Sequence, residues 1–253
     1  VVGNISVGGT GKTPIIINLA KQLIDAGYQP AIISRGYGGI ASGQKNSVTS
    51  VFSDSDPGYC GEEPVLIAQS LKNVPVIISA SRASAYLHVV NTLPCNVVLS
   101  DDGLQHYQLP RSIEIAVIDS KQGLGNGLLI PSGPLRERVS RLKKVDHIIV
   151  TGSGQFNTIE RLNQFSKKSS NVITCIDAMR EIEPSGHTLS YSSIDKIRER
   201  LINFSTLHMV AGIGNPDKFF TTVGNIFLAS KSMPELLRHD YNDHHRYTLK
   251  DAH

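Results

Sequence analysis

The stretch Val1-Val2-Gly3-Asn4-Ile5-Ser6-Val7-Gly8-Gly9-Thr10-Gly11-Lys12-Thr13-Pro14 constrains the fold more than any other. β-prone residues run into a glycine-rich turn, Lys-Thr follows, and Pro14 sits where the first turn of a helix tolerates proline. Strand, tight turn and helix in that order make a cradle for phosphate. Gly8, Gly9 and Gly11 lack a Cβ, so the backbone can turn sharply and present successive N–H groups to an anion. Lys12 is spaced to reach the β- and γ-phosphates of a nucleotide, and the Thr13 hydroxyl to ligate Mg²⁺, with the positive end of the helix behind them. The strict form of the pattern has Gly where this chain has Ser6. A glycine-rich turn without a ligand is therefore the alternative reading.

The chain has 253 residues, enough for one large domain or two smaller ones, and its 19% charged and 40% hydrophobic composition is that of a globular protein with a proper core. Its net charge of +3 is mild. That suits an anionic substrate or an acidic membrane surface; with no basic run and no aromatic platform, nucleic acid is not an expected partner. Cys60, Cys95 and Cys175 are odd in number, far apart and without Cys-x-x-Cys spacing, which argues against a disulfide or cysteine metal site and for a reducing compartment. No apolar run reaches membrane-span length. The chain starts without Met and inside a strand, so a further segment is expected upstream.

From Pro14 the apolar residues Ile15, Ile16, Leu19 and Leu23 recur at helical spacing up to Gly27, and Ala31-Ile32-Ile33 reads as a buried strand ending in the loop Ser34-Arg35-Gly36-Tyr37-Gly38-Gly39. Residues 40–60 are polar and irregular and read as a loop. Gly61-Glu62-Glu63-Pro64 opens a helix, where two acids suit the dipole; the sharper reading has one of them face the phosphates as a base. The strand Val74–Ile78 leads to Ser79-Ala80-Ser81-Arg82 and another helix. Arg82 in that helix's first turn opposes the dipole, which a nearby anion would explain. Asn96 to Ser100 forms an apolar run ending in Asp101-Asp102-Gly103-Leu104-Gln105-His106. Adjacent carboxylates at a strand's C-terminal edge can hold the Mg²⁺ that Thr13 binds; an Asp-Gly turn is the plainer alternative.

Strands Ile113–Asp119 and Asp146–Thr151 follow, separated by Pro131-Ser132-Gly133-Pro134-Leu135-Arg136-Glu137-Arg138, which is too rich in Pro and Gly for regular structure. The strand and helix alternation predicts an α/β fold: a P-loop NTPase-like, doubly wound parallel sheet over residues 1–151, with the polar loops gathered at the strands' C-terminal edge. Residues 152–195 read as a linker region, and 196–253 as a second, smaller α/β domain, incomplete at His253, that starts with Leu207 to Pro216. In Asp243-His244-His245 no third ligand at fixed spacing supports a metal, and a catalytic or substrate contact is preferred over a surface loop.

Together these motifs resemble the tetraacyldisaccharide 4′-kinases of lipid A synthesis. The resemblance spans nearly the whole chain and rests on Gly3 to Pro14, Ser34 to Gly38, Gly61 to Pro64, Asp101 to His106, Gly133 to Glu137, Gly212 to Pro216 and Asp243 to His245. It implies transfer of the ATP γ-phosphate to the 4′-hydroxyl of a tetraacylated disaccharide 1-phosphate at the cytoplasmic face of the bacterial inner membrane, and a small C-terminal domain that closes over the nucleotide. Position by position it implies ATP contacts from Ser6, Val7, Gly8, Gly9, Thr10, Gly11, Lys12 and Thr13, with Mg²⁺ held by Thr13 and Asp101. Asp102, Arg136 and Glu137 become catalytic, and Arg82, Gln105 and His106 contact the acceptor. Glu62, supported by His244, takes the role of hydroxyl activator. The family usually has Asp where this chain has Glu62, which keeps the carboxylate but lengthens its arm. The expected partners are the glycolipid and a membrane surface, and the chain is expected to be a monomer.

The rival functions are a nucleotide switch and a non-catalytic nucleotide-binding module. Against a GTPase, Thr151-Gly152-Ser153-Gly154 carries no Asn/Thr-Lys-x-Asp, and Ser100 stands where Asp-x-x-Gly would need Asp. Against a partitioning-type ATPase, Val7 stands where Lys would precede Gly-Gly-x-Gly-Lys-Thr.

Overall fold

The structure, a computed structural model, describes residues 1–44, 47–152, 162, 165, 168–172, 179–182, 188–213, 216–228, 230, 233–242 and 245. It falls into two compact units, Val1–Ile173 and Thr174–His253.

In the first unit, β1 (Val2–Gly3), β6 (Ile115–Asp119), β7 (His147–Thr151) and β8 (Ser169–Val172) pair in that order, all parallel. A second sheet has the order β3 (Thr49–Val51), β4 (Val76–Ile78), β2 (Pro30–Ser34), β5 (Val97–Ser100), and β3 is its antiparallel member. The two sheets share one core. Val2, Val117 and Ile149 of the first pack with Ile32, Val76 and Leu99 of the second, beneath Ile15, Ile16 and Ala20 of α1 (Lys12–Asp25).

Alternate residues on each strand bury opposite faces. Ile32 faces that core while Ala31 and Ile33 pack against Ala85 and Val89 of α4 (Arg82–Thr92). Val117 and Ile149 likewise face the core, while Ala116, Ile118, Ile148 and Val150 pack with Ile5, Leu135 and Leu142. Burial on both faces is why these strands are continuous apolar runs, and it is the mark of a doubly wound sheet. Each fully buried Ile contributes on the order of 1.5–3 kcal/mol over an exposed one.

Two stretches differ from the sequence reading. Residues 40–60 hold a 3₁₀ turn (Ile40–Gly43), β3 and α2 (Pro57–Cys60), ahead of α3 (Glu62–Ser70). In β3 only Val51 is buried, so a three-residue edge strand leaves no alternating pattern to read. The stretch taken as a linker, 152–195, contributes β8 to the parallel sheet and, in the second unit, β9 (Met179–Ile182) and β10 (Thr188–Tyr191), which form an antiparallel pair. Ser169-Ser170-Asn171 is polar because β8 is an edge strand with little to bury.

The second unit is the smaller α/β piece. β11 (Thr206–Ala211) and β12 (Glu235–Asp240) are parallel, and α5 (Ile194–Leu201) and α6 (Pro216–Asn225) accompany them. Its core consists of Ile197, Ile226 and Phe227, with Met209, Ala211 and Phe220 beside it.

In the first unit every parallel strand points the same way, so the turns after β1, β2, β4, β5, β6 and β7 meet at one edge. That edge is where open α/β sheets bind ligands.

Candidate active site

The turn after β1 is fixed at three points. Ser6 forms an antiparallel bridge with Leu135, Val7 N–H donates to the Pro134 carbonyl at 2.8 Å, and the buried Thr151 hydroxyl donates to the Thr10 carbonyl at 2.8 Å. Between these anchors Val7, Gly8 and Gly9 are exposed, while Thr10 and Thr13 are buried. Gly8 (φ 97°) and Gly11 (φ 81°) occupy the left-handed region that a side chain disfavours, and Gly11 caps α1. The result is an open anion cradle at a helix N-terminus.

Lys12 opens α1, and its Nζ lies 3.5 Å from Asp102 Oδ1. Arg136 Nη1 donates to Asp102 Oδ2 at 2.9 Å. Asp102 itself has φ 45°, a backbone state that Asp tolerates better than most side chains. Burial pushes its carboxyl up, but Lys12 and Arg136 outweigh that and hold it below the ordinary range.

Asp101 is its opposite. It is 1% exposed, accepts from the Ser34 hydroxyl at 3.3 Å, and has a second carboxylate oxygen, Oδ1, buried without a hydrogen-bond partner among the described residues. Burial first, then the negative charge of Glu63, raise its pKa to about 6 against the pull of Lys12. Arg82 Nη2 donates to the Asp101 carbonyl at 2.9 Å, and burial lowers the Arg82 pKa to about 10, so it remains cationic at neutral pH.

Arg82, Gln105, His106 and Tyr107 line a cavity of about 500 Å³. Burial, then the positive charges of Arg82 and Arg35, depress the His106 pKa and keep its imidazole neutral. Gln105 Nε2 donates to the Asn4 carbonyl at 2.9 Å and to Glu137 Oε1 at 2.6 Å, tying the cavity wall to the root of the cradle.

The first unit thus gathers Lys12, Thr13, Asp101, Asp102 and Arg136 around the cradle, with Arg82, Gln105, His106 and Glu137 beside it. Glu62 is the exposed first residue of α3, held close to the Arg35 loop because Gly61 (φ 91°) packs directly on the Gly36 and Tyr37 backbone. Of the two neighbouring acids, Glu63 is the one whose charge acts on Asp101. His244 lies outside the described residues. Sequence reasoning placed Ser34 only within a loop motif and gave no part to Tyr107, Arg111, Glu114 or Arg141. The one available signal was Glu114, a charge directly ahead of an otherwise buried strand.

Among the described residues no group of three or more His, Cys, Asp or Glu could hold a metal. The orphaned Asp101 oxygen and the buried Thr13 hydroxyl instead suit a hard cation that completes its shell with ligand phosphates and water.

A strand, a glycine cradle, a helix headed by Lys-Thr and paired aspartates on the same sheet edge define a P-loop NTPase-like α/β protein. The sequence profile of the tetraacyldisaccharide-1-P 4′-kinase family matches residues 1–253. The tetraacyldisaccharide 4′-kinase of Hahella chejuensis is 36% identical over 255 residues, covering 99% of this chain and 66% of its own. The namesake from Francisella philomiragia is 40% identical, covering 99% of this chain and 73% of its own. Among solved structures, LpxK from Aquifex aeolicus, described as an "apo" form in complex with ATP, superposes with a TM-score of 0.68 at 25% identity, over 96% of this chain and 70% of that one. The chain belongs to the tetraacyldisaccharide 4′-kinase family, a family of phosphotransferases of lipid A synthesis.

Proposed function

We infer that this chain transfers the γ-phosphate of ATP to the 4′-hydroxyl of a tetraacyldisaccharide 1-phosphate. The observation that carries the reading is the pairing of Asp102 with both Lys12 and Arg136 at the mouth of the cradle, beside a buried Asp101 with one oxygen that has no hydrogen-bond partner among the described residues.

Phosphoryl transfer asks a protein mainly for positioning and charge neutralisation. The Ser6 to Thr13 backbone would hold the phosphates and Lys12 the β and γ oxygens. Arg136 offsets charge that grows in the transition state. Thr13 and Asp101 would hold Mg²⁺, which when bound neutralises phosphate charge. Arg82, Gln105 and neutral His106 offer the 500 Å³ cavity's donors to the acceptor's sugar and phosphate groups. Glu137 orients Gln105. Glu62 accepts the proton of the attacking hydroxyl, with His244 supporting it; Glu63 is the neighbouring carboxylate that can share this part.

The acceptor is a lipid, and we place the enzyme at the cytoplasmic face of the inner membrane, acting as a monomer. No helix among the described residues is long and apolar enough to cross a membrane. Surface attachment is supported by the loop after β6, where Leu128, Leu129 and Ile130 are consecutive and 53%, 39% and 53% exposed. That loop reaches the cradle through Gln122 and Pro134.

The test is phosphate transfer from labelled ATP with Mg²⁺ to tetraacyldisaccharide 1-phosphate in detergent micelles, with Lys12→Ala alongside. Lipid-dependent labelling by the wild type and its near-complete loss in the folded variant are expected. ATP binding without lipid labelling would instead favour a binding module.

A further inference from the structure

Beside the site lies an ionic cluster of Arg111, Glu114 and Arg141 that, among the described residues, has no hydrogen bond or ion pair to residues 6–13. Glu114, just before β6, accepts from Arg111 Nη1 at 2.7 Å and from Arg141 through both amino groups, at 2.9 and 2.5 Å. The Arg141 and Glu114 side chains are 9% and 13% exposed, so the group is largely withdrawn from solvent.

Each arginine serves a different segment of the site. Arg111 donates to the carbonyls of Leu104 (3.1 Å), His106 and Leu109 (3.2 Å), bracing the turn that carries Asp102, Gln105 and His106. Arg141 Nε lies 3.4 Å from Glu137 Oε2. Glu137 accepts from Gln105 and from the Tyr107 hydroxyl, and Arg136, its neighbour, reaches Asp102. Both guanidinium groups lie over the Tyr107 ring, at 5.5 and 5.8 Å from its centroid.

We propose that Glu114 is a positioning residue for phosphoryl transfer. Through Arg111 and Arg141 it locks the 101–109 turn against the 133–141 segment, and so sets where Gln105 and Glu137 stand relative to the cradle. A bidentate carboxylate–arginine pair fixes direction as well as distance, which a lysine or an amide cannot reproduce. The inference rests on Gln105 and Glu137 being acceptor-side groups.

In Glu114→Gln the fork is lost while the cradle's own anchors at Leu135, Pro134 and Thr151 remain. kcat/KM for the disaccharide should fall roughly 10- to 100-fold, the scale of a displacement of about 1 Å. ATP affinity should stay within about threefold. In a Glu137→Gln background the same change should cost little more, because both act through one chain of contacts. Hydrogen exchange gives a readout that needs no activity: peptides 103–109 and 138–144 should lose protection together, while residues 4–14 and the 133–136 stretch that anchors them do not.

Wild-type kinetics in Glu114→Gln, a matching loss of ATP affinity, or full additivity with Glu137→Gln would overturn the proposal. Should Glu114→Gln not fold, Arg141→Lys keeps the charge, removes the fork and takes its place in every arm. A wild type that binds ATP but labels no lipid would sink the kinase reading, and the exchange pattern would still decide the role of Glu114.

Discussion

Asp101 and Asp102 are adjacent in sequence and opposite in electrostatics. Asp102 has two cations on its carboxylate; Asp101 has a hydroxyl on one oxygen and, among the described residues, no hydrogen-bond partner on the other. Because the folded Asp101 pKa is about 6, above its ordinary 3.8, the native state holds that proton more tightly than the unfolded chain. Asp101 therefore makes the fold progressively less stable as pH rises from about 4 to about 6, and its full cost persists above that. Asp101→Asn should raise unfolding stability at pH 8 without Mg²⁺ by on the order of 1–3 kcal/mol and leave it nearly unchanged at pH 4, while abolishing transfer. Chemical denaturation at the two pH values checks this. Mg²⁺ should raise the melting temperature of the wild type more at pH 8 than at pH 5, where protons compete for the same carboxylate.

Among the elements, the interlocked loops after β2 and α2 have a strain-sensitive geometry. A Cβ on Gly61 would sit 2.7 Å from the Tyr37 carbonyl oxygen, at a φ of 91°. Gly61→Ala should destabilise the protein by roughly 1–3 kcal/mol and weaken transfer through Glu62, the next residue, read as a lowered denaturant midpoint and a lowered kcat. The loop after β6 has a different role. Replacing Leu128, Leu129 and Ile130 together by Ser should leave stability almost untouched, since all are exposed, and reduce co-sedimentation with anionic phospholipid vesicles at least several-fold. Elements of this kind differ in legibility. The cradle and the Asp pair were readable because their chemistry is local: a glycine turn, a Lys-Thr helix start, a carboxylate at a strand end. Glu114 was not, because its Arg141 partner lies 27 residues away and its meaning depends on the packing between them. β8 escaped for the converse reason, being an edge strand without an apolar pattern.

For the molecule as a whole, the division at Ile173 separates the cradle, both aspartates, Arg136 and Glu62 from the segment that carries His244. The parallel sheet and its shared loop edge followed from alternation of apolar runs and polar turns, while the strand orders and the antiparallel β3 depend on pairing between distant segments that no local pattern carries. The division between the units falls inside the stretch 152–195 read as a linker, but its polar residues fill strands as well as connections, which that reading did not show. A chain ending at Ile173 should bind ATP within about tenfold of the full chain and transfer no phosphate to lipid. Equilibrium binding of a fluorescent ATP analogue beside the micelle assay measures both.

The site also offsets part of its own positive charge. Lys12 and Arg136 share one carboxylate, and the chain's net charge of +3 adds little attraction from a distance. A lone phosphate ion that displaces Asp102 exchanges one anion for another and gains almost nothing. A triphosphate brings further charges and also fills the backbone donors of the turn. A polyphosphate, which can reach both cations and the backbone donors together, should therefore hold the cradle far more tightly than inorganic phosphate, as competition against a fluorescent ATP analogue would measure.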